Sequence, residues 1–287
     1  MLVNMKEMLQ DAERNHYAIA SINTPNLETL QAVVSAAEAL DAPITINHAQ
    51  GHEDTVRMET IAPLMAEYAR NAKVPVCMHI DHGHDIHFCM RALRQGFTSI
   101  MYDRSDLPID DNIAEIKRFM ALVEPLDITV EAELGEMPNN MPTCIPGQEK
   151  SDLSDLSIYF TDPDEAIRFC EETHVDALAI SVGTVHGMYE SEPNLDIERI
   201  KKIKAGITGT ALCLHGGSGV DPAQLNRAVK AGIRKINYFT GMDTCVAPEL
   251  LKTLQAADGA PVNYSNIVNQ ARELMKQNAM RAIESMQ

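Results

Sequence analysis

The chain lacks a long apolar run, because none of its apolar stretches reaches the about 18 residues that a membrane span requires. Residues 1–20 mix acidic and basic side chains, a pattern that predicts neither a signal peptide nor a transit peptide. The six cysteines are scattered without a C-x-x-C pair, so we expect buried, reduced thiols. Together these absences predict a cytoplasmic protein with no membrane partner.

Basic side chains are also in short supply. The sequence has 24 Lys and Arg against 41 Asp and Glu, which gives a net charge of -17. This deficit argues against nucleic acid, or an anionic membrane surface, as the main partner. It does not exclude a small anionic substrate, because backbone dipoles at a local site can outweigh a distant net charge.

What the sequence does contain is an alternation of strand and helix patterns, with no internal repeat and no low-complexity tract. A barrel of eight strands and eight helices typically needs about 250 residues. We therefore predict an α/β fold, a TIM (β/α)8 barrel, as a single domain over residues 1–287. An extra N-terminal helix at 4–14 is predicted to cap the barrel bottom, and a C-terminal helical extension is predicted at 264–285.

Eight strands and eight helices are assigned from these patterns. The predicted strands are 17–22, 43–47, 75–80, 98–102, 128–133, 177–181, 211–214 and 233–237. The predicted helices are 27–40, 57–71, 84–95, 110–123, 162–173, 195–205, 221–231 and 243–256. Aspartate followed by proline, at residues 162–163 and 221–222, indicates two of the helix starts.

Polar side chains gather at the C-terminal ends of the predicted strands, where barrel enzymes build their active sites. A stable barrel does not require this, so the pattern predicts a binding or catalytic site. Read in order, these ends carry Asn23, Asn47, His48, Asp81, His82, Asp103, Glu133, residues 183–186, His215 and Asn237.

Three of these residues are histidines next to glycine: His82, His186 and His215. A single histidine near a strand end is more often a hydrogen-bonded structural residue than a metal ligand. Three of them, each predicted to follow a strand of one barrel, form a convergent set. Neutral imidazoles with an open fourth position are the ligands of a catalytic zinc, so the set predicts a zinc site.

The turn Gly216–Gly217–Ser218–Gly219 precedes a predicted helix and offers successive backbone N–H groups to an anion. Barrel phosphate sites are often built from the loops after strands 7 and 8, which here carry this turn and residues 237–240. Hydroxyls at Ser218 and Thr240 favour phosphate. The alternative is that the glycines only make a tight turn.

Asp81 adjoins His82, so its carboxylate can reach the substrate as an acid–base group. Orienting a ligand histidine is an equally good interpretation. Asp103 and Glu133 also have two interpretations: they support the ligand histidines, or they bind the metal at an alternative position.

The runs HIDHG (79–83), VEAELG (130–135), SVGTVHGMY (181–189), LHGGSG (214–219) and KIN (235–237) occur in this order. With this order and spacing the chain resembles the class II ketose-bisphosphate aldolases over essentially its whole length. Within them it is most similar to the tagatose- and fructose-bisphosphate aldolase group.

The resemblance implies that His82, His186 and His215 bind a catalytic zinc and that Asp81 is the catalytic proton donor. It also implies a zinc-stabilised enediolate, formed when a phosphorylated ketose is cleaved to dihydroxyacetone phosphate and an aldehyde. A sodium or potassium ion near the phosphate, and a homodimer or homotetramer, are implied as well. The implied substrate-binding residues are Gly187, Gly216, Gly217, Ser218, Asn237, Tyr238, Phe239 and Thr240. Asn23, at the end of the first predicted strand, is predicted to bind substrate as well.

Several positions depart from the pattern of the family. After VEAELG the chain has Met137–Pro138–Asn139–Asn140, within a long irregular stretch at 135–160. Glu149, beyond these four residues, is the candidate for the mobile glutamate that can shuttle the proton in relatives. Glu190 stands where many relatives have lysine. These departures leave the sugar, and the phosphorylation of its far end, open. Two other functions remain as alternatives: a metal-dependent sugar-phosphate epimerase or isomerase, and a non-catalytic binding protein on an aldolase scaffold.

Overall fold

The computed structural model describes residues 1–140, 153, 155–189 and 191–287. Eight parallel strands close into a barrel, in the order β1-β2-β3-β4-β5-β7-β9-β10 and back to β1, and β6 pairs separately with β8. This confirms the predicted TIM barrel. The strands are β1 (Ile19–Asn23), β2 (Ile44–Ala49), β3 (Val76–Gly83), β4 (Ser99–Tyr102), β5 (Thr129–Leu134), β6 (Asn139–Asn140), β7 (Ala177–Ile180), β8 (His186–Gly187), β9 (Ala211–Leu214) and β10 (Ile233–Tyr238).

Helices surround the barrel and follow its strands along the chain. The two predicted aspartate caps are present: Asp162 accepts hydrogen bonds from the N–H groups of residues 164 and 165, and Asp221 accepts one from Ala223. The helices are α1 (Met5–Asn15), α2 (Leu27–Ala39), α3 (Met58–Asn71), α4 (Ile86–Arg94), α5 (Ile109–Val123), α6 (Pro163–Thr173), α7 (Ile197–Gly206), α8 (Pro222–Ala231), α9 (Thr240–Thr244), α10 (Val246–Ala256) and α11 (Tyr264–Ser285).

Alternation along each strand sorts apolar from polar side chains. In β2, Ile44 and Ile46 belong to the apolar core shared with the surrounding helices. Thr45 and Asn47, which alternate with them, are buried polar residues. Because successive side chains of a strand point to opposite faces, this second set faces the barrel interior. The interior is therefore polar where the functional site lies.

The N-terminal helix α1 closes the other end of the barrel, as predicted. Its Met5, Met8 and Leu9 pack in one apolar cluster with interior-facing strand residues such as Cys77 and Cys213. This cluster is separate from the core between barrel and helices. An apolar plug thus lies below the polar interior.

Two features differ from the sequence-based assignment. The helix predicted at 243–256 is two helices, α9 and α10, which meet at Cys245. Pro248 lies in the first turn of α10 and has no N–H to continue a hydrogen-bonded helix from α9. The pair β6–β8 was not predicted. The predicted C-terminal helical extension is confirmed as α11. None of the described helices is long and apolar enough to cross a membrane.

We predict that Met5→Ala lowers the free energy of unfolding by about 2–5 kcal/mol, because it leaves a cavity in the plug. Met5 is fully buried, whereas Glu7 on the same helix is exposed. Glu7→Ala is therefore the matched control and should stay within about 0.5 kcal/mol of the wild type. Urea titration followed by circular dichroism measures both, and equal effects of the two variants would contradict the plug.

Candidate active site

Three histidines converge at the C-terminal end of the barrel. His82 lies near the end of β3, His215 directly follows β9, and His186 lies on β8. One ring nitrogen from each lies within 4.8 Å of the others. The sequence-based placement of His186 immediately after a barrel strand was wrong, because a separate two-residue strand carries it.

The backbone at His82 adopts a left-handed conformation, with φ of 48°. For a residue other than glycine this costs about 1–3 kcal/mol and persists only where the surroundings impose it. The register of β3 against β4 shifts between Ile80 and Gly83, so the strand is irregular at this histidine. A Cβ at Gly83 would meet Cys89 Sγ at 2.6 Å. The strand end is thus shaped to present His82 at some cost in stability.

Main-chain hydrogen bonds position His186. Strands β6 and β8 are parallel, with Asn139 opposite His186, and the His186 N–H donates to the Pro138 carbonyl at 2.9 Å. The next residue, Gly187, has φ of 100°, which glycine adopts without strain. The segment after β5 therefore holds the third histidine in the site.

Hydrogen bonds to carboxylates fix which ring nitrogens are available to a metal. His82 Nδ1 donates to Asp103 at 2.8 Å, and His215 Nε2 donates to Glu131 at 3.0 Å. A carboxylate only accepts, so the opposite nitrogens of both rings carry lone pairs. Those two nitrogens, His82 Nε2 and His215 Nδ1, are 3.0 Å apart. Lone pairs at this distance repel each other unless a cation, either a proton or a metal ion, lies with them.

The protonation states agree with a site for one positive charge. Burial lowers the pKa of His82, but Asp81, Asp103 and Glu133 outweigh this effect and raise it to about 10. Burial and the neighbouring imidazoles lower the pKa of His186 to about 3. Without a metal, His82 therefore holds the proton that balances the carboxylates, and a bound metal ion would take over that role.

The environment of Glu133 also indicates that the site suits a cation. Its Oε2 is buried and has no hydrogen-bond partner among the described residues. It lies 3.9 Å from His82 Nδ1 and 4.0 Å from His215 Nδ1. Burial, and then the charge of Asp103, raise the pKa of Glu133 well above its usual range. A buried carboxylate without a partner is costly unless a proton or a metal ion compensates it. The donor set therefore fits a metal ion.

A second potential metal-binding group shares one histidine with the first. His82, His84 and Asp103 also place their donor atoms within 4.8 Å of one another. This geometry is consistent with the expectation that Asp103 supports a ligand or lies at a second metal position.

A buried ion pair between Glu131 and Lys235 lies beneath the histidines. The sequence analysis did not identify Glu131 as a site residue. Glu131 on β5 receives hydrogen bonds from His215 and from Lys235 Nζ, the latter at 3.0 Å. Burial lowers the pKa of Lys235, but Glu131 outweighs it and raises the pKa, so the lysine stays charged. Glu131 and Glu133 are two residues apart in one strand, so both point inward. That spacing was the signal for Glu131.

Asp81 is held by two asparagine amides. Asn23 Nδ2 donates to its Oδ2 at 3.0 Å, and Asn237 Nδ2 donates to its Oδ1 at 2.8 Å. Burial would raise the pKa of Asp81, but His82 and His215 outweigh it and hold the pKa well below its usual range. Asp81 is therefore an oriented, ionised carboxylate at the cavity wall.

The glycine turn after β9 packs too closely for larger residues. Gly216 has φ of 68°, and a Cβ there would lie 2.4 Å from the Val185 carbonyl oxygen. The Gly217 N–H donates to the Asn237 carbonyl at 2.9 Å, so this amide is engaged within the protein. The N–H groups of Ser218 and Gly219 have no hydrogen-bond acceptor among the described residues. These two amides are the part of the turn that can bind an anion.

A cavity of about 450 Å³ opens above these groups and brings most of the predicted residues together. His215 and Gly217 lie behind its wall, and the Tyr238 hydroxyl bonds to Asn278 on α11. Glu149 and Glu190 fall outside the described residues. The predicted residues that line the cavity are Asn23, Asp81, His82, Asp103, Glu133, His186, Gly187, Gly216, Ser218, Asn237, Tyr238, Phe239 and Thr240.

Residues 3–287 match the protein family described as Fructose-bisphosphate aldolase class-II. The chain belongs to this family. It is therefore a lyase of the aldolase type, and a non-catalytic role is no longer supported. Class II aldolases depend on a metal ion, in agreement with the donor set above.

Individual relatives support the same assignment. The 6-phospho-5-dehydro-2-deoxy-D-gluconate aldolase of Halalkalibacterium halodurans is 40% identical over 242 residues, covering 83% of this chain and 80% of the relative. YdjI of Escherichia coli K12 is 32% identical over 284 residues, covering 99% and 97%. The crystal structure of YdjI, described as an aldolase, superposes with a TM-score of 0.85 over 100% of this chain and 97% of YdjI.

A more distant structure shares the fold. Fructose-bisphosphate aldolase from Campylobacter jejuni is 18% identical, with a TM-score of 0.80 over 99% of this chain and 95% of that one. At this identity the likeness supports the barrel architecture and not the substrate of this class II aldolase.

We predict that His82→Ala lowers zinc affinity by more than the about 10–100-fold that loss of an outer hydrogen-bond partner costs. The reason is that the substitution removes the imidazole of His82, whose ring nitrogen lies within 4.8 Å of ring nitrogens of His186 and His215. His87→Ala is the matched control, because His87 is exposed on α4, away from the site. Metal content after dialysis, measured by mass spectrometry, tests this. Equal zinc in both variants would show that His82 is not a ligand.

Proposed function

We propose that this class II aldolase is zinc-dependent and reversibly cleaves a phosphorylated ketose to dihydroxyacetone phosphate and an aldehyde. The observation that carries the proposal is the convergence of three imidazole nitrogens beside the ionised Asp81. Three neutral histidines with an open fourth position are typical of catalytic zinc. The relative from Halalkalibacterium halodurans, named as an aldolase of a phosphorylated keto sugar acid, supports the ketose phosphate class.

His82, His186 and His215 would hold the metal. When bound, zinc would act as a Lewis acid that polarises the ketose carbonyl and stabilises the negative charge of the enediolate. Asp103 and Glu131 would orient His82 and His215 through the hydrogen bonds already present.

Asp81 would move the proton. In the cleavage direction, its ionised carboxylate accepts the proton of the substrate hydroxyl next to the bond that breaks. In condensation the same group returns that proton to the aldehyde oxygen, as the resemblance implied. Asn23 and Asn237 keep both carboxylate oxygens oriented toward the cavity while this happens.

The phosphate would bind at the loops after β8, β9 and β10. Gly187, Gly216, Ser218 and Thr240 line this side of the cavity, and the amides of Ser218 and Gly219 are available to an anion. No described Lys or Arg lines it, so a sodium or potassium ion would offset the phosphate charge.

A lysine Schiff base does not fit the site. A lysine nucleophile needs a lowered pKa, and the pKa of Lys235 is raised by its pairing with Glu131. The Lys235 ammonium donates to Glu131 and to Asn237, so it serves to orient its neighbours.

We predict that Asp81→Asn lowers kcat by about 10²–10⁴-fold, because it removes the proton acceptor while all three histidines remain. The assay follows dihydroxyacetone phosphate released from a panel of ketose phosphates by coupled reduction. Asp106→Asn is the control, since Asp106 is exposed and pairs with Arg104. Products are identified by NMR, and epimerisation without carbon–carbon cleavage would contradict the aldolase proposal.

We predict that EDTA abolishes activity and that zinc restores it, whereas borohydride added with substrate causes no inactivation. The chelator removes the proposed Lewis acid, and borohydride traps only a Schiff base. Mass spectrometry of the treated protein provides the second measurement. A covalent adduct on Lys235 would contradict the mechanism.

A further inference from the structure

The cavity has two chemically different halves. The half proposed for phosphate lies at the loops after β8, β9 and β10. The other half lies at the loops after β2, β3, β4 and β5. Of these strands, β3 and β4 lie across the barrel from β9 and β10, and β2 is two strands from β10. We call it the distal half, and its lining residues are Gly51, His52, His84, Ser105, Glu136 and Met137.

Resting on the function proposed above, we propose that the substrate carries a single phosphate and that its aldehyde half, bound in the distal half, is hydroxylated and phosphate-free. Both halves lack a lining Lys or Arg among the described residues, so backbone amides must provide the anion site. The glycine turn supplies such amides to one half of the cavity. Among the described residues the distal half has no comparable turn, since Gly51 is the one described glycine that lines it.

Acidic groups make the distal half unfavourable for a second phosphate. Asp103 and Glu136 line the cavity on this side, and like charges brought together without water repel strongly. Phosphate recognition normally uses Arg or Lys to offset the dianion. A second phosphate would meet carboxylates here and no described ammonium or guanidinium group.

Two described arginines in the segments that follow β3 and β4 are held in ion pairs. Arg104 adjoins Ser105, but its guanidinium bonds to Asp106 at 3.3 Å and lies 4.0 Å from Glu115. Arg91 is held by two glutamates, at 3.0 and 2.7 Å. Redirecting either guanidinium to a ligand would break these ion pairs.

The distal half offers neutral hydrogen-bonding groups instead. Burial, and then His48, lower the pKa of His52 to about 4, so its imidazole is neutral and can donate at one nitrogen and accept at the other. Its ring lies 5.3 Å from that of Phe239, so it stands where the distal half meets the loop after β10, and its buried Nδ1 has no partner among the described residues. The Ser105 hydroxyl lines the same half; its O–H donates to Asp103 at 2.7 Å, and its oxygen can accept a further hydrogen bond. This combination suits sugar hydroxyls.

Two aldehydes that differ by one phosphate test the inference directly. The zinc-loaded enzyme is assayed for condensation of dihydroxyacetone phosphate with D-glyceraldehyde and with D-glyceraldehyde 3-phosphate. We expect kcat/KM to be at least about tenfold higher for the unphosphorylated aldehyde. A higher value for the phosphorylated aldehyde overturns the inference and leaves the aldolase proposal intact. Condensation with neither aldehyde overturns both.

A charge variant tests where the aldehyde half binds. Ser105→Arg adds a cation to the distal half and should shift the kcat/KM ratio toward the phosphorylated aldehyde by at least about tenfold. Thr208→Arg is the matched control, because the exposed Thr208 precedes β9 at the opposite end of the barrel. If Ser105→Arg does not fold, Met137→Arg replaces it. A folded variant that leaves the ratio unchanged overturns the assignment of the distal half.

Residues 141–152 contain one further basic side chain, that of Lys150. The variant Lys150→Met tests whether this side chain, and not the residues that line the cavity, sets the kcat/KM ratio of the two aldehydes. We expect the ratio of the two aldehydes to stay within about twofold of the wild type. A change of tenfold would show that Lys150 sets the selectivity and would overturn the inference.

Discussion

The buried pair of Glu131 and Lys235 determines how the site is arranged. Glu131 accepts a hydrogen bond from His215 Nε2, and this leaves Nδ1 as the lone pair that faces His82. Lys235 Nζ also donates to Asn237 Oδ1 at 2.6 Å, so the amide nitrogen of Asn237 must point to Asp81. A single ion pair thereby orients a proposed metal ligand and the proposed proton acceptor. Buried charges of this kind add little stability, so orientation is the better reason for their presence.

The polar interior is costly for folding, and the rest of the barrel compensates for it. Several carboxylates and imidazoles are buried at one end, and His82 is held in a left-handed backbone conformation. The apolar plug under α1 and the core between barrel and helices surround this end with ordinary hydrophobic packing. The site is therefore a local departure from stable packing, which is typical of functional sites.

Much of this could be predicted from the sequence, because parallel strands of one barrel end at the same face. That rule brought together Asp81, His82 and His215 from segments far apart in the chain. It failed for His186, whose position depends on the pairing of β6 with β8. Strands of two residues are too short to show an alternation of apolar and polar residues in the sequence. Glu131 lies in the middle of β5, and the sequence analysis considered only strand ends, so it did not identify this residue. The position of Glu131 two residues before Glu133 would have indicated that both side chains point inward.

The pairing of β6 with β8 also shows how the distal half can vary without loss of the metal ligand. His186 is held through its backbone N–H and the Pro138 carbonyl, a contact that does not depend on side-chain identity. The neighbouring residues Glu136 and Met137 line the distal half, where the aldehyde half is proposed to bind. The segment after β5 is also where the chain departs from the pattern of the family. Substitutions there can change the sugar that is accepted while the main chain keeps His186 in place.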